Sequence, residues 1–297
     1  GTNGKTTTTE LTTHLLKGAG KRVMAAGNVG VPLCEAARKG ASLDFLVVEV
    51  SSFQMEACQA FAPLAAVFMN FTSDHMDRYA SPSAYLLAKL KLFCHLRQPR
   101  QAIFKQELLA LPEVAALPLF ANGARPVTFS TETPGNAAAD WALVDGQLAQ
   151  RQGDRLVPLL PRSELRLLGD HNVENTFAAL ALCQAVGVPL AALLPHVKTF
   201  SPSAHRLEIV GSLNGVRYIN DSKSTNPDAL IQALKTAVSA GAKGKVHLIA
   251  GGRDKEMDFL PTVPYIKEIV KAAYLIGESR ERLNTLWQGQ VPCVQCR

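Results

Sequence analysis

Apolar and polar positions along the chain alternate between two periods. Short runs of β-branched residues are followed by stretches with helical spacing, which is the alternation of an α/β protein. The segment after Thr6 predicts a helix through Leu16. Lys21 to Ala26 predicts a short strand that ends in Gly27-Asn28-Val29-Gly30. Phe45-Leu46-Val47-Val48-Glu49-Val50 has the near-continuous apolar pattern of a buried strand, and Ala65 to Asn70 predicts another. Tyr85 to Leu96 reads as a helix with apolar residues on more than one face. Residues 97 to 168 hold much of the Pro and Gly and predict small strands and connections. Asn172 to Val186, rich in Ala and Leu, predicts a helix after Gly169-Asp170-His171.

The cluster Ser201-Pro202-Ser203 interrupts the pattern and marks a domain boundary. Beyond it the alternation restarts, with strands at Val216 to Ile219, Val246 to Ala250 and Ala272 to Ile276, and a helix from Pro227 to Ala240. The reading is therefore two domains, 1–202 and 203–297, which a chain of 297 residues accommodates. Hydrophobic residues make up 47% and charged residues 19%, so wholesale disorder is excluded. No run reaches the ~18 consecutive apolar residues of a membrane span, so no membrane insertion is expected. The net charge of +6 suits phosphate-bearing ligands. No long basic block with interleaved aromatics accompanies it, so no nucleic-acid partner is expected. Six scattered cysteines form no disulfide framework and point to a reducing, cytoplasmic setting. Cys293 and Cys296 make one C-x-x-C without a second pair, which is too little for a structural metal site.

Candidate chemistry begins at the first residue. Gly1-Thr2-Asn3-Gly4-Lys5-Thr6-Thr7 ends as a Walker A loop ends, in Gly-Lys-Thr ahead of a helix. In such a loop backbone N–H groups cradle phosphate, Lys5 reaches the β/γ phosphates and the Thr6 hydroxyl ligates Mg²⁺. Gly-Lys-Thr alone also fits a simple turn before a helix. Glu49 adds weight, because a carboxylate at the end of an apolar strand is costly unless paired or metal-bound, and ligands of open α/β sheets bind beyond the carboxyl ends of strands. His75, within Asp74-His75-Met76-Asp77-Arg78, leaves the next strand toward the same crevice. Lys89 reads, on its own, as a solvated helix lysine. Asn172 and Asn175 are spaced to share one helix face.

Together these residues resemble the Mur ligase family of ATP-dependent enzymes of peptidoglycan synthesis. Glu49 to Glu56, Asp74 to Tyr79, His205 to Glu208, Asn220 to Asn226 and Gly251 to Lys255 are similar to its D-glutamate-adding branch. The diaminopimelate- or lysine-adding branch would have His rather than Phe-Gln after Ser51-Ser52, and the L-alanine-adding branch His in place of Asn3. The resemblance implies a P-loop-type central domain with a mostly parallel sheet, then a truncated Rossmann-like C-terminal domain. It implies ligation of D-glutamate to UDP-N-acetylmuramoyl-L-alanine through an acyl phosphate, with ATP, two Mg²⁺ ions and a carbamylated lysine at Lys89.

By the same resemblance, Lys5, His75, Lys89 and Lys223 are catalytic, and Thr6, Glu49, His75 and Lys89 hold metal. Residues Gly1 to Thr7, Asn172, Asn175, Arg206 and Asp221 face ATP. Asn28, Ser51, Gln54, His75, Thr225 and Lys255 face the substrates. A monomer is expected. Because the chain opens inside the loop, without Met, the expectation is a piece lacking the family's N-terminal domain, first strand and C-terminal end, and inactive alone. The alternatives are another Mur ligase, a folylpolyglutamate synthase-like ligase, or a non-catalytic nucleotide-binding module.

Overall fold

The computed structural model describes residues 1–72, 75–76, 78–132, 138–254 and 256–296. The chain divides into two compact units, Gly1–Pro202 and Ser203–Arg297. In the first unit, helix α1 (Lys5–Gly18) leads to strand β1 (Val23–Gly27), helix α2 (Leu33–Arg38), strand β2 (Phe45–Glu49), helix α3 (Ser52–Ala57), strand β3 (Ala66–Phe68) and helix α4 (Pro82–Leu90). Strand β4 (Ala102–Lys105), helix α5 (Pro112–Ala115) and strands β5 (Val127–Ser130), β6 (Trp141–Val144), β7 (Gln147–Gln152) and β8 (Arg155–Pro161) follow. Helices α6 (Asp170–Ala185) and α7 (Leu190–Val197) close the unit.

Strands β1 and β2 pair in parallel. A six-stranded sheet runs β3-β4-β5-β6-β7-β8, parallel from β3 to β6 and antiparallel from there on. The stretch 97 to 168, expected to hold small strands and connections, supplies five strands of the largest sheet. They are short, of four to seven residues, with Gly146 and Gly153 in the turns between β6, β7 and β8. Helix α6 begins two residues before the predicted start and runs through the middle of the unit, buried from Asn172 to Ala181. Its small residues Ala178, Ala179 and Ala181 let neighbouring backbones approach. Leu11, Leu15 and Leu16 of α1, spaced at helical repeats, pack with Val173, Phe177 and Leu180 in the same core. Trp141 joins that core, its ring 6.1 Å from that of Phe177.

Strand β2 departs from expectation. Phe45 to Val48 are only partly buried, whereas the carboxylate-bearing Glu49 is 4% exposed. The apolar run pairs only with β1 among the described strands, so its sides stay partly open. Its end turns inward.

The second unit opens with an antiparallel hairpin, β9 (Glu208–Leu213) and β10 (Val216–Asn220), turned at Asn214-Gly215 with both residues at positive φ. Helix α8 (Pro227–Ser239), strand β11 (Val246–Gly251), helix α9 (Val263–Ile269), strand β12 (Val270–Ile276), helix α10 (Arg280–Trp287) and strand β13 (Cys293–Gln295) follow. Strands β11, β12 and β13 form a parallel sheet over a core of its own, around Leu234, Ile266, Leu275 and Trp287. The Trp287 indole N–H donates to the Thr262 hydroxyl at 3.1 Å, so its polar edge is satisfied inside that core. Among the described residues no helix is long and apolar enough to cross a membrane.

Candidate functional site

The opening loop is held against the end of β3. The Thr2 amide donates to the Asn70 carbonyl at 3.2 Å. The Asn3 amide donates to Asn70 Oδ1 at 2.8 Å, and Asn70 Nδ2 returns a bond to the Asn3 carbonyl at 3.1 Å. Thr2 and Thr72 bond reciprocally, hydroxyl to carbonyl at 3.1 Å and amide to hydroxyl at 3.2 Å. Gly4 then caps α1 at φ 82, a left-handed conformation that suits glycine. A Cβ at Gly4 would also lie 2.4 Å from Asn175 Oδ1. Lys5 Nζ folds back over the loop and donates to the carbonyls of Gly1 at 3.0 Å and Thr2 at 2.8 Å. Thr6 lies in the first turn of α1, partly exposed, and Thr7 is buried beneath it.

Asn172 and Asn175 do share a helix face, and Asn175 Nδ2 donates to Asn172 Oδ1 at 2.9 Å. Both are buried. Asn172 is anchored to the Leu168 carbonyl at 2.7 Å, and Asn175 Oδ1 accepts from the Thr8 hydroxyl at 3.3 Å. In this structure the pair backs the loop through Gly4 and Thr8.

Glu49 stands at the end of β2, where the parallel register sets it beside Gly27. Its Oε1 accepts from Asn28 Nδ2 at 3.0 Å, while its Oε2 is buried with no hydrogen-bond partner among the described residues. A buried carboxylate oxygen left in this way costs roughly 1–3 kcal/mol, and it fits a cation that completes it. Among the described residues no group of three or more His, Cys, Asp and Glu is arranged for a metal. The expected set does not need one, since it joins Glu49 and His75 to a Thr hydroxyl and a modified Lys. Mg²⁺ typically takes only one or two protein carboxylates and keeps waters.

His75 and Lys89 meet around Tyr85. His75 lies at φ 58, an uncommon conformation for a non-glycine residue that often marks a functional turn. Its ring is 4.9 Å from Phe53 and 5.9 Å from Tyr85. Lys89 is 9% exposed, and its Nζ lies 4.1 Å from the centroid of the Tyr85 ring. The reading of Lys89 as a solvated helix lysine is corrected: α4 turns it inward, onto an aromatic face that attracts a cation.

Ser51 and Gln54 serve each other. They form the capping box of α3, with the Ser51 amide donating to Gln54 Oε1 at 2.9 Å and the Gln54 amide to Ser51 Oγ at 3.3 Å. Asp74 and Asp77 lie outside the described residues. The rest of that motif braces the His75 turn. Arg78 pairs with Glu56 at 2.6 Å and lies over the Phe53 ring at 4.6 Å, and the Tyr79 hydroxyl donates to Glu56.

In the second unit, Arg206, Asp221 and Lys223 lie on two adjoining loop segments. His205 and Leu207 flank Arg206 at positive φ. The Leu207 amide donates to Asp221 Oδ1 at 3.0 Å, and the Lys223 amide to the His205 carbonyl at 3.2 Å. Burial raises the Asp221 carboxyl above its ordinary range, against the Leu207 amide and the Arg206 charge, which pull it down. Lys223 and Thr225 are exposed. Lys255 lies outside the described residues.

Residues 1–183 match the model of the Mur ligase middle domain, and residues 205–289 that of the Mur ligase glutamate ligase domain. The chain belongs to the Mur ligase family. Its curated relatives include the UDP-N-acetylmuramoylalanine–D-glutamate ligases of Alkaliphilus metalliredigens and Nitratidesulfovibrio vulgaris. The first is 36% identical over 95% of this chain and 60% of the relative, the second 37% over 98% and 59%. This Mur ligase chain thus spans about 60% of the length of the curated relatives it matches.

Among solved structures it superposes on MurF from Acinetobacter baumannii with a TM-score of 0.75 at 17% identity, covering 99% of this chain and 66% of that one. It also superposes on MurF from Thermotoga maritima, solved in complex with ADP, with a TM-score of 0.70 at 16% identity, covering 100% and 69%. These likenesses establish the Mur ligase fold.

Site residues that sequence reading missed are Asn70 and Tyr85. Asn70 follows a strand, a signal shared with any turn. Tyr85 is indistinguishable in sequence from a core aromatic.

Proposed function

We propose that the protein carrying this chain is the ATP-dependent ligase that joins D-glutamate to UDP-N-acetylmuramoyl-L-alanine in peptidoglycan synthesis. The observation that supports it most is the similarity, over nearly the whole chain, to relatives named for that reaction. It is joined by a loop held at the end of β3, a buried carboxylate at the end of β2 and a lysine that α4 turns inward beside His75.

In this reading a carboxylate oxygen of the acceptor attacks the γ-phosphorus of ATP and ADP leaves. The amine of D-glutamate attacks the resulting acyl phosphate, a proton is lost, and phosphate leaves as the amide forms. The task is to bring anions together and offset the charge that develops in phosphoryl transfer. Lys5 gives up its loop carbonyls to bind phosphate oxygens. Thr6 and Glu49 hold one Mg²⁺, and His75 with a carbamylated Lys89 a second. Carbamylation makes Lys89 an anionic oxygen donor suited to Mg²⁺, which gives an inward-facing lysine a use. When bound, Mg²⁺ would neutralise phosphate charge.

Asn172 and Asn175 keep the loop in shape and border the base. Ser51 and Gln54 face the acceptor from the start of α3. Arg206, Asp221 and Lys223 contribute to ATP and Thr225 and Lys255 to D-glutamate, by the family pattern carried to these positions. The protein acts as a cytoplasmic monomer.

The test is phosphate release from ATP by the whole protein, with UDP-N-acetylmuramoyl-L-alanine, Mg²⁺ and one amino acid at a time. Release that requires D-glutamate and yields the amide is expected. Release with L-lysine or diaminopimelate instead, or only with a folate and L-glutamate, overturns the specificity.

A further inference from the structure

We infer that Asn28 is a positioning residue for Glu49: its side-chain amide holds one carboxylate oxygen so that the other is presented to the metal ion of the phosphate site. The inference rests on the proposed use of Glu49 as a Mg²⁺ ligand and deepens it. Three observations carry it. Asn28 Nδ2 donates to Glu49 Oε1 at 3.0 Å, whereas Oε2 of the same carboxylate is buried without a hydrogen-bond partner among the described residues. The Asn28 backbone amide also donates to the Glu49 carbonyl at 2.8 Å, so backbone and side chain grip the same residue. The preceding Gly27 lies at φ 112 in register with Glu49, and a Cβ there would come within 2.2 Å of the Glu49 carbonyl oxygen. The ends of β1 and β2 thus approach more closely than another residue at position 27 allows, and that approach brings Asn28 over the carboxylate.

The choice of an amide has a chemical reason. Lys or Arg at position 28 would orient the carboxylate but also neutralise the charge that must attract a cation. Asp would repel it. An amide donates one directed hydrogen bond and leaves the carboxylate its full charge. It also fixes which oxygen is spent and which is kept, as partners behind metal ligands commonly do. This role differs from the acceptor contact that the family pattern implies for Asn28, and the two are separable by experiment.

The experiment uses the whole protein and Mn²⁺ as the probe. Free and bound Mn²⁺ are distinguished by electron paramagnetic resonance in the presence of ADP, a measurement that needs neither acceptor nor turnover. Asn28→Leu removes the donor at similar size, and Asn28→Ala removes it without added bulk or charge. Asn28→Leu is expected to weaken Mn²⁺ binding about tenfold, the size of a lost hydrogen bond to a charged group. In a Glu49→Gln background the same change is expected to add less than about twofold, because the residue acts through the one already removed. Apparent KM for the acceptor should change less than the Mn²⁺ affinity.

Unchanged Mn²⁺ affinity in Asn28→Leu, with a raised acceptor KM, would overturn the inference in favour of an acceptor contact. Equal losses with and without Glu49 would also overturn it, as a general loss of structure. If Asn28→Leu does not fold by circular dichroism, Asn28→Ala carries the same comparison. Full Mn²⁺ binding by Glu49→Gln alone would instead remove the metal role of Glu49, and failure to ligate D-glutamate with these metal effects intact would remove only the substrate.

Discussion

At Gly4 two independent constraints meet, a positive φ and a side chain packed against the missing Cβ. Gly20 has a similar φ of +78 with nothing within 4 Å of its Cβ position. Gly4→Ala is therefore expected to weaken ADP binding about tenfold or more, while Gly20→Ala costs only the ~1–2 kcal/mol of a left-handed residue. Titration of a fluorescent ADP analogue and thermal melting separate the two. Equal effects would mean that the Asn175 contact does not shape the loop. Lys89 shows the opposite relation between sequence and site, for nothing in its neighbours distinguishes it from Lys91, and only the fold sends it inward. Lys89→Ala is expected to lose ligation by at least about a hundredfold, as a lost metal-holding group does. Added short carboxylates should partly restore it, and wild-type turnover in Lys89→Ala would remove the carbamate. Gly4 was legible because its motif demands backbone N–H groups at a helix start. Lys89 was not, because burial is a property of the surroundings.

Between elements, β4 and α6 are tied by an ion pair that no local pattern announces. Lys105 Nζ lies 2.9 Å from Glu174 Oε1, which also accepts from the Thr131 hydroxyl at 2.9 Å. Glu174 adjoins Asn175, so the pair fixes the helix that backs the phosphate loop. Burial raises the Glu174 carboxyl above its ordinary range, although Lys105 and Thr131 pull it down. Burial is the largest single influence on the Lys105 ammonium and lowers it, but Glu174, Glu107 and Glu132 together outweigh it and the group is raised. The signs follow from linkage. Ionising a carboxyl that is raised on folding opposes folding, so this contribution is fullest below the ordinary Glu value and falls as pH climbs through the raised one. The Lys105 contribution is full below the ordinary Lys value and is lost as pH rises through its own raised one. Glu174→Gln should therefore flatten the fall of Tm as pH climbs above the ordinary Glu value, measured by scanning calorimetry. Lys105→Met, which leaves the buried carboxylate without its cation, should cost about 2–3 kcal/mol near neutral pH. An unchanged urea midpoint would mean that the pair does not hold α6.

For the molecule as a whole, each unit has its own core and its own tryptophan. Trp141 is 1% exposed in the first unit and Trp287 fully buried in the second. Cores that do not share side chains unfold as separate cooperative blocks. Fluorescence of Trp141→Phe and Trp287→Phe is therefore expected to report different urea midpoints, and coincident transitions would show one cooperative unit. What the sequence by itself determined is what short-range physics encodes. Alternating periods specify an α/β chain, a Ser-Pro cluster interrupts it, and Gly-Lys marks the start of a helix. What only the tertiary structure decided depends on residues far apart in the chain. It buried Glu49 while leaving the apolar run before it half open, and it turned Lys89 onto Tyr85. It set Asn175 against Gly4 and laid Asn28 on Glu49. The reason is that strand register and helix facing are settled by packing across the whole core, and a residue's own neighbours in sequence do not contain that information.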